Sequence, residues 1–231
     1  MSFEEVETYP IFYGLHPITY HYFKSHDPSS PFKHRVLLMS DLHSNSQEVV
    51  DILDCQGLLK DTVVIATGDM AGDGTMGGDG DPLPVYQFLL KRAKRLYFVQ
   101  GNHDLFNPDA LELKNSDQTY CCLHNRVQDT IVGRLGGVNG IMGKDKPHKH
   151  TFLPSTYLKL LNAVLQQTPD ILLTHDPLFK HRHLLDQHQL PTHLFGHCHL
   201  RQPYVRAGCT HSFNLDGRVV LVKGNHAPFR A

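Results

Sequence analysis

The tetrapeptide Gly101-Asn102-His103-Asp104 contains residue types that could carry chemistry, and it follows an apolar run at residues 96–99 that is typical of a buried strand. Gly101 lets the backbone turn or approach a ligand closely. Asn102 offers a neutral carbonyl oxygen, and His103 offers a group that can carry a proton near neutral pH. One such tetrapeptide is weak evidence, so the question is whether similar residues follow other strands.

Four further segments place polar side chains at the ends of apolar runs. In chain order they are Asp41-Leu42-His43, Gly68-Asp69, Thr174-His175 and Gly196-His197-Cys198-His199. Most of these runs alternate with helical patterns, which is the signature of an α/β sheet. Because ligands bind outside the carboxyl ends of the strands in open α/β sheets, we expect all five segments to lie at one edge.

Together the segments offer two carboxylates, one amide and four imidazoles besides His103. These candidate metal ligands are Asp41, Asp69, Asn102, His43, His175, His197 and His199. Carboxylates and imidazoles are ligands of borderline metals such as zinc, manganese and iron. Alternate residues of an extended segment point the same way, so the pairs Asp41/His43 and His197/His199 are each expected to bind one ion or two adjacent ions.

Hydrophobic periodicity predicts the elements that must position these residues. The predicted strands are residues 36–39, 63–66, 96–99, 130–135, 171–173, 193–195 and 219–222. The predicted helices are residues 47–59, 85–94 and 155–167, and the glycine-rich segment 136–140 is expected to be a turn.

The first 34 residues contain two aromatic, strand-like stretches and a Pro/Ser cluster at 27–31. We expect residues 1–34 to form a hairpin or arm packed on a single domain made of residues 35–231. A contact with substrate or with a second subunit is the alternative for this segment.

The composition excludes several classes of protein. Lys and Arg (22) nearly balance Asp and Glu (23), so there is no global field and no clear patch to attract nucleic acid or an anionic membrane. The five cysteines show no CxxC pattern and are expected to be reduced thiols. The sequence has neither a signal-peptide pattern nor an apolar stretch of about 20 residues, so we expect a cytoplasmic protein.

In order and residue type, the five segments resemble the motifs of the calcineurin-like metallophosphoesterase superfamily: D-x-H, G-D, G-N-H-D/E, H and G-H-x-H. The resemblance covers about residues 35–225. It implies an α/β fold with four layers, αββα, in which a two-sheet β-sandwich is flanked by helices. It also implies a metal-dependent hydrolase of phosphate esters.

The resemblance assigns the metal ligands to two ions (Mn, Fe or Zn). One ion would be bound by Asp41, His43 and His199. The other would be bound by Asn102, His175 and His197. Asp69 would bridge them. Two divalent ions, less two carboxylates and a bridging hydroxide, leave a net charge of about +1 that would attract a phosphate, and the hydroxide would be the nucleophile.

The remaining motif residues are His103 and Asp104. By resemblance, His103 touches the phosphate and protonates the leaving oxygen. Asp104 would orient His103 or cap a turn. A second Gly-Asn-His at residues 224–226 also follows a strand, but it lies outside the family order and is not expected to bind metal.

One departure from the family bears on the substrate. Protein phosphatases of this superfamily extend the second motif as G-D-x-x-D-R-G, whereas here Asp69 is followed by Met70-Ala71-Gly72-Asp73 with no arginine. A phosphodiesterase, or a phosphatase of small molecules or nucleotides, is therefore favoured. The alternatives are a Ser/Thr-type protein phosphatase and a non-catalytic metal-binding adaptor of the same fold.

Overall fold

The apolar runs form the central strands of two β-sheets in a computed structural model, which describes residues 3–12, 18–25, 34–70, 80–113, 119–144, 150–198 and 202–224. The strands are β1 (Phe3–Phe12), β2 (Ile18–Ser25), β3 (Val36–Ser40), β4 (Val63–Ala66), β5 (Arg95–Phe98), β6 (Thr119–Cys122), β7 (Arg126–Thr130), β8 (Gly133–Val138), β9 (Ile141–Met142), β10 (Thr151–Phe152), β11 (Ile171–Thr174), β12 (Thr192–Phe195), β13 (Tyr204–Ala207), β14 (Thr210–Asn214) and β15 (Arg218–Gly224).

The first sheet has seven strands in the order β1-β2-β15-β3-β4-β5-β6. The second has six strands in the order β13-β14-β12-β11-β8-β7, and β9 and β10 form a small parallel pair. Strands β3 to β6 are parallel, and so are β8, β11, β12 and β14. The carboxyl ends of the parallel strands can therefore present their loops at a common edge.

Helices cover the outer face of each sheet. They are α1 (Ser46–Cys55), α2 (Leu83–Arg92), α3 (Pro154–Leu165) and α4 (Arg182–Gln187). Buried side chains of α1 and α2 pack in one cluster with the first sheet, and those of α3 and α4 pack in another with the second sheet. This arrangement confirms the four-layer αββα fold.

A third apolar cluster fills the space between the sheets. Leu38 and Ile65 of the first sheet pack there with Leu173, Leu194 and Phe213 of the second. Strands β3, β4, β11 and β12 are buried along their whole length. Burial on both faces explains why these strands appear in the sequence as continuous apolar runs.

The N-terminal segment forms an antiparallel hairpin of β1 and β2. Strand β2 also pairs in parallel with β15, so the hairpin extends the first sheet. Ile18 is fully buried and Phe23 is 2% exposed, and Phe23 belongs to the cluster between the sheets. The division of the chain at residue 34 stays a prediction.

The expected strand at 130–135 is not continuous, because a tight turn at Ile131 and Val132 separates the end of β7 from the start of β8. The expected turn at 136–140 is wrong for its first three residues, which belong to β8. Added Cβ atoms on Gly136 and Gly137 would lie 2.7 Å from Val164 and 2.6 Å from Val99, respectively. These glycines allow close packing of layers and do not mark a turn.

The three predicted helices are confirmed with shifted ends. The first ends at Cys55 instead of residue 59, and the chain then turns through Gly57, whose φ is +67°. The other two begin one or two residues earlier than predicted and end two residues earlier. In the described part of the chain, no helix is long and apolar enough to cross a bilayer. All five cysteines lie in the described residues, and no disulfide joins any of them there.

We expect Phe23→Ala to lower the free energy of unfolding by about 3–5 kcal/mol, since it leaves a cavity between the sheets. Val6 lies on the same hairpin but is 52% exposed, so Val6→Ala is a matched control with an expected loss of about 0.5 kcal/mol. Urea unfolding followed by circular dichroism measures both. Equal losses would show that the hairpin does not contribute to the common core.

Candidate metal centre

The two sheets meet at the side chains of Asp41 and Asp69. Nε2 of His175, which follows β11 of the second sheet, lies 3.0 Å from Oδ2 of Asp69 and 3.9 Å from Oδ1 of Asp41. The main-chain N–H of His197, which follows β12, donates to Oδ2 of Asp41 at 3.1 Å. Segments that are far apart in the sequence therefore converge at one edge of the sandwich.

Among the described residues, two groups of side chains at this edge could each hold a metal ion. They are Asp41, His43 and Asp69, and Asp69, His175 and His197. Within each group, one ligand atom from every residue lies within 4.8 Å of the others. Asp69 belongs to both groups, which is the position that a bridging carboxylate requires. His199 lies outside the described residues, so its place at this edge stays a prediction.

Two buried polar atoms test whether a cation fits. The Nδ1 atom of His175 lies 2.8 Å from the carbonyl oxygen of Thr67, which can accept only, so Nδ1 carries the proton and Nε2 is directed towards the carboxylates. Oδ1 of Asn102 is buried and has no hydrogen-bond partner among the described residues. In a neutral His175, Nε2 would be a lone-pair acceptor 3.0 Å from Oδ2 of Asp69, and two acceptors can approach this closely only with a cation beside them. Buried acceptors beside two carboxylates suit a metal ion.

The backbone brings the ligands together by turns rather than by extended segments. Asp41, His43, Asp69 and His197 have φ values of 55°, 45°, 52° and 60°, respectively, all in the left-handed region. Leu42 between the first two has a helical conformation. The expectation that Asp41 and His43 converge as alternate residues of an extended segment is therefore wrong. Left-handed non-glycine residues cost about 1–3 kcal/mol each and cluster at functional sites.

Close packing explains two of the motif glycines. A Cβ atom on Gly101 would overlap Oδ1 of Asp69, and one on Gly196 would overlap Oδ2 of Asp41. The loops that carry Asn102 and His197 can approach the two carboxylates only because these residues have no side chain.

The charges of the centre are strongly coupled. Burial raises the pKa of Asp41 to about 8. Burial opposes protonation of His175, but the charges of Asp69 and Asp41 outweigh it and raise the His175 pKa to about 10. Burial also disfavours the Asp69 carboxylate, yet the neighbouring His175 holds the pKa of Asp69 well below its usual range. Without metal, Asp41 is therefore largely protonated at pH 7, and the protonated His175 compensates the buried carboxylate of Asp69.

The pKa of His197 is lowered to about 4, first by desolvation and then by the positive charge of His175. His197 is therefore neutral at pH 7, and a neutral imidazole is the form that binds metal.

Asp104 is fully buried and accepts hydrogen bonds from the loops around it. Its carboxylate accepts the main-chain N–H groups of Asp69 at 2.8 Å, Met70 at 2.9 Å and Gly101 at 3.0 Å, and the hydroxyl of Tyr86 at 3.4 Å. These are the contacts of a residue that fixes two loops. Its assignment to the chemistry, by orienting His103, stays a prediction.

His103 lies at the edge of the centre. Its main-chain N–H donates to Oδ1 of Asp69 at 2.8 Å, and its ring lies 5.5 Å from the ring of His43. The residue is only half-buried, so a ligand can reach it. Asn225 and His226 of the second Gly-Asn-His lie outside the described residues.

The sequence did not point to several residues that support the centre. Ser40 Oγ donates to Oδ2 of Asp41 at 2.6 Å, and Thr67 supplies the carbonyl that orients His175. Thr67 and His175 are 108 residues apart. The one feature of the sequence that could have indicated Ser40 and Thr67 is that each directly precedes a motif residue.

A family model described as calcineurin-like phosphoesterase matches residues 34–201. The chain belongs to the calcineurin-like phosphoesterase family. It is therefore a metallophosphoesterase, a hydrolase of phosphoric esters, and its four-layer sandwich is the fold of this family.

Solved structures share parts of this fold at low sequence identity. Protein TT1561 of Thermus thermophilus superimposes with a TM-score of 0.51 at 15% identity, over 83% of this chain and 89% of that chain. Phosphopantetheinyl hydrolase from Mycobacterium tuberculosis aligns at 12% identity over 80% of this chain and 90% of that chain, with a TM-score of 0.47. No curated protein matches the sequence.

We expect Asp104→Ala to lower the free energy of unfolding of the metal-free protein by about 3 kcal/mol or more, because it leaves several buried N–H groups unpaired. Asp109 is exposed, and Asp109→Ala should change stability by less than about 0.5 kcal/mol. Urea unfolding in the presence of a chelator compares the two. A loss as small as that of Asp109→Ala would mean that the carboxylate of Asp104 does not hold the loops.

Proposed function

We propose that this protein hydrolyses phosphate esters at a centre of two metal ions, and that its substrates are phosphodiesters or small-molecule and nucleotide phosphomonoesters. One observation carries the proposal: two potential ligand groups share the buried carboxylate of Asp69. A shared carboxylate is the feature that distinguishes a two-metal centre from two separate sites.

In this proposal each ion has its own ligands besides Asp69. Asp41, His43 and His199 hold one ion. Asn102, His175 and His197 hold the other. When bound, the two ions polarise the phosphoryl group and activate a water molecule as the nucleophile. The ligand chemistry suits Mn, Fe or Zn.

The protein's own groups then orient the reacting ester. The hydrogen bond from the His103 main chain to Asp69 places the imidazole at the edge of the centre, beside His43. From there His103 donates a proton to the oxygen of the leaving group, which is general acid catalysis.

The sequence after Asp69 favours small substrates over phosphoproteins. Residues 70–73 contain no arginine, whereas the protein phosphatases of the family have one in the extended motif. An arginine side chain that could bind the phosphate of a phosphoprotein through two hydrogen bonds is therefore missing from this motif.

The first test is loss of metal. Wild-type protein loaded with Mn²⁺ should hold two equivalents and hydrolyse bis-p-nitrophenyl phosphate or p-nitrophenyl phosphate. Asp69→Ala should lose both equivalents after gel filtration, since one carboxylate serves both ions, and turnover should be lost as well. Asp51 is exposed on α1, and Asp51→Ala should match the wild type. Retention of two equivalents by Asp69→Ala, measured by elemental analysis, would refute the bridge.

The second test separates chemistry from metal binding. His103→Ala should keep both metal equivalents while kcat falls about 10²–10⁴-fold, because the general acid is removed. His183→Ala, at an exposed histidine, should leave kcat unchanged. An unchanged kcat in His103→Ala would show that His103 takes no part in the reaction.

A further inference from the structure

A buried pair of amide side chains joins the two sheets behind the loop that carries Asn102 and His103. Gln100 lies two residues after the end of β5, and Asn139 directly follows β8. Each residue is 3% exposed. The main-chain N–H of Gln100 donates to Oδ1 of Asn139 at 3.0 Å, and Nδ2 of Asn139 donates to Oε1 of Gln100 at 2.8 Å. The N–H of Gly140 also donates to the Gln100 carbonyl at 2.7 Å. The second sheet is therefore fixed to the residue that immediately precedes Gly101.

The orientation of both amides follows from their main-chain partners. Nε2 of Gln100 lies 3.2 Å from the carbonyl oxygen of Asp104 and 2.8 Å from that of Phe106. Carbonyl oxygens only accept, so the nitrogen end of Gln100 must face them. Its Oε1 then faces Asn139, whose own Oδ1 must face the Gln100 N–H. Each amide therefore has a single orientation that satisfies all of its partners.

The Gln100 amide holds the loop of residues 101–106 by its hydrogen bonds to the carbonyl groups of Asp104 and Phe106. The carboxylate of Asp104 holds the start of the same loop, because it accepts the N–H of Gly101 at 3.0 Å. Between these two anchors lie His103 and Asn102, and the buried Oδ1 of Asn102 has no hydrogen-bond partner in the described part of the chain. A small rotation of this loop would move both side chains relative to Asp69.

We propose that Gln100 and Asn139 are positioning residues, which hold the loop so that Asn102 can bind metal and His103 can reach the leaving group. This inference rests on the proposed function, since it assigns the pair a role towards that centre. Two apolar side chains could fill the same space, but they would not fix a direction for the Asp104 and Phe106 carbonyls. The N–H of Asn139 also donates to Nδ1 of His124 at 3.1 Å, so the pair is anchored to the segment between β6 and β7 as well.

The test is Asn139→Asp, which keeps the acceptor for the Gln100 N–H but replaces Nδ2 by an oxygen. At a pH where the new carboxyl group is ionised, that oxygen repels Oε1 of Gln100, so Oε1 no longer accepts a hydrogen bond from residue 139 and the orientation of the Gln100 amide is no longer fixed. We expect one of the two Mn²⁺ equivalents, the one that Asn102 would bind, to bind about 10–100-fold less tightly by calorimetry. Amide hydrogen exchange in residues 101–106 should accelerate, and kcat at saturating Mn²⁺ should fall about 10²-fold, with little change in KM.

The matched control is Thr62→Val. The hydroxyl of Thr62 is buried and lies 2.8 Å and 3.1 Å from the carbonyl oxygens of Leu58 and Lys60, at the opposite end of β4 from the candidate centre. This variant should lose stability without changing Mn²⁺ affinity, exchange in residues 101–106 or kcat. If Asn139→Asp behaves in the same way, the pair is merely structural and the proposal is overturned.

A second variant and two readouts keep the test decisive. Gln100→Met has a side chain of similar length without polar atoms and should show the same three changes, so it replaces Asn139→Asp if that protein does not fold. A wild type that binds Mn²⁺ but turns over no phosphate ester would refute the proposed function alone. Mn²⁺ affinity and hydrogen exchange would still decide the role of the pair, because neither depends on turnover.

Discussion

The burial of two carboxyl groups, those of Asp41 and Asp69, at one edge of the sandwich is the constraint on which the rest of the centre depends. The two residues are 5% and 1% exposed, and an ion in such surroundings costs several kcal/mol unless it is compensated. The chain compensates with main-chain N–H groups from His103 and His197 and with the imidazole of His175. These donors come from both sheets, so the carboxylates hold the sandwich together at the edge where they are needed.

The same constraint accounts for the unusual backbone around the centre. Loops that must present N–H groups and side chains to one small volume cannot remain extended, and four of the candidate ligands adopt left-handed conformations. Asp104 stabilises this arrangement from behind, since it accepts N–H groups from the loops after β4 and β5. The strained residues therefore lie next to the carboxylate that stabilises them. The strain is found in candidate metal ligands and not in residues of the apolar core.

The elements that position the centre could be predicted because their signal is local. Strands buried on both faces are continuous apolar runs, and those that end in Asp41, Asp69, His175 and His197 lie where the sequence predicted. Features that depend on distant packing could not be predicted. Gly136 and Gly137 have the composition of a turn, but they lie in β8 because other layers approach them closely.

Side-chain partners were equally hidden. Gln100 and Asn139 are 39 residues apart, and an isolated amide in a sequence carries no signal of what it binds. The convergence of Asp41 and His43 was expected for the wrong reason, because residue types reveal which ligands are available and not the turn that joins them.

The position of β15 has a consequence for how the protein is made. This strand lies between β2 and β3 in the middle of the first sheet, although it comes from the other end of the described chain. While the ribosome is still translating the second sheet, β2 and β3 have exposed edges with no partner between them. Strands β2 and β3 must not pair with each other before β15 has emerged from the ribosome. The folding of this sheet therefore depends on contacts of long sequence separation and is expected to be slow.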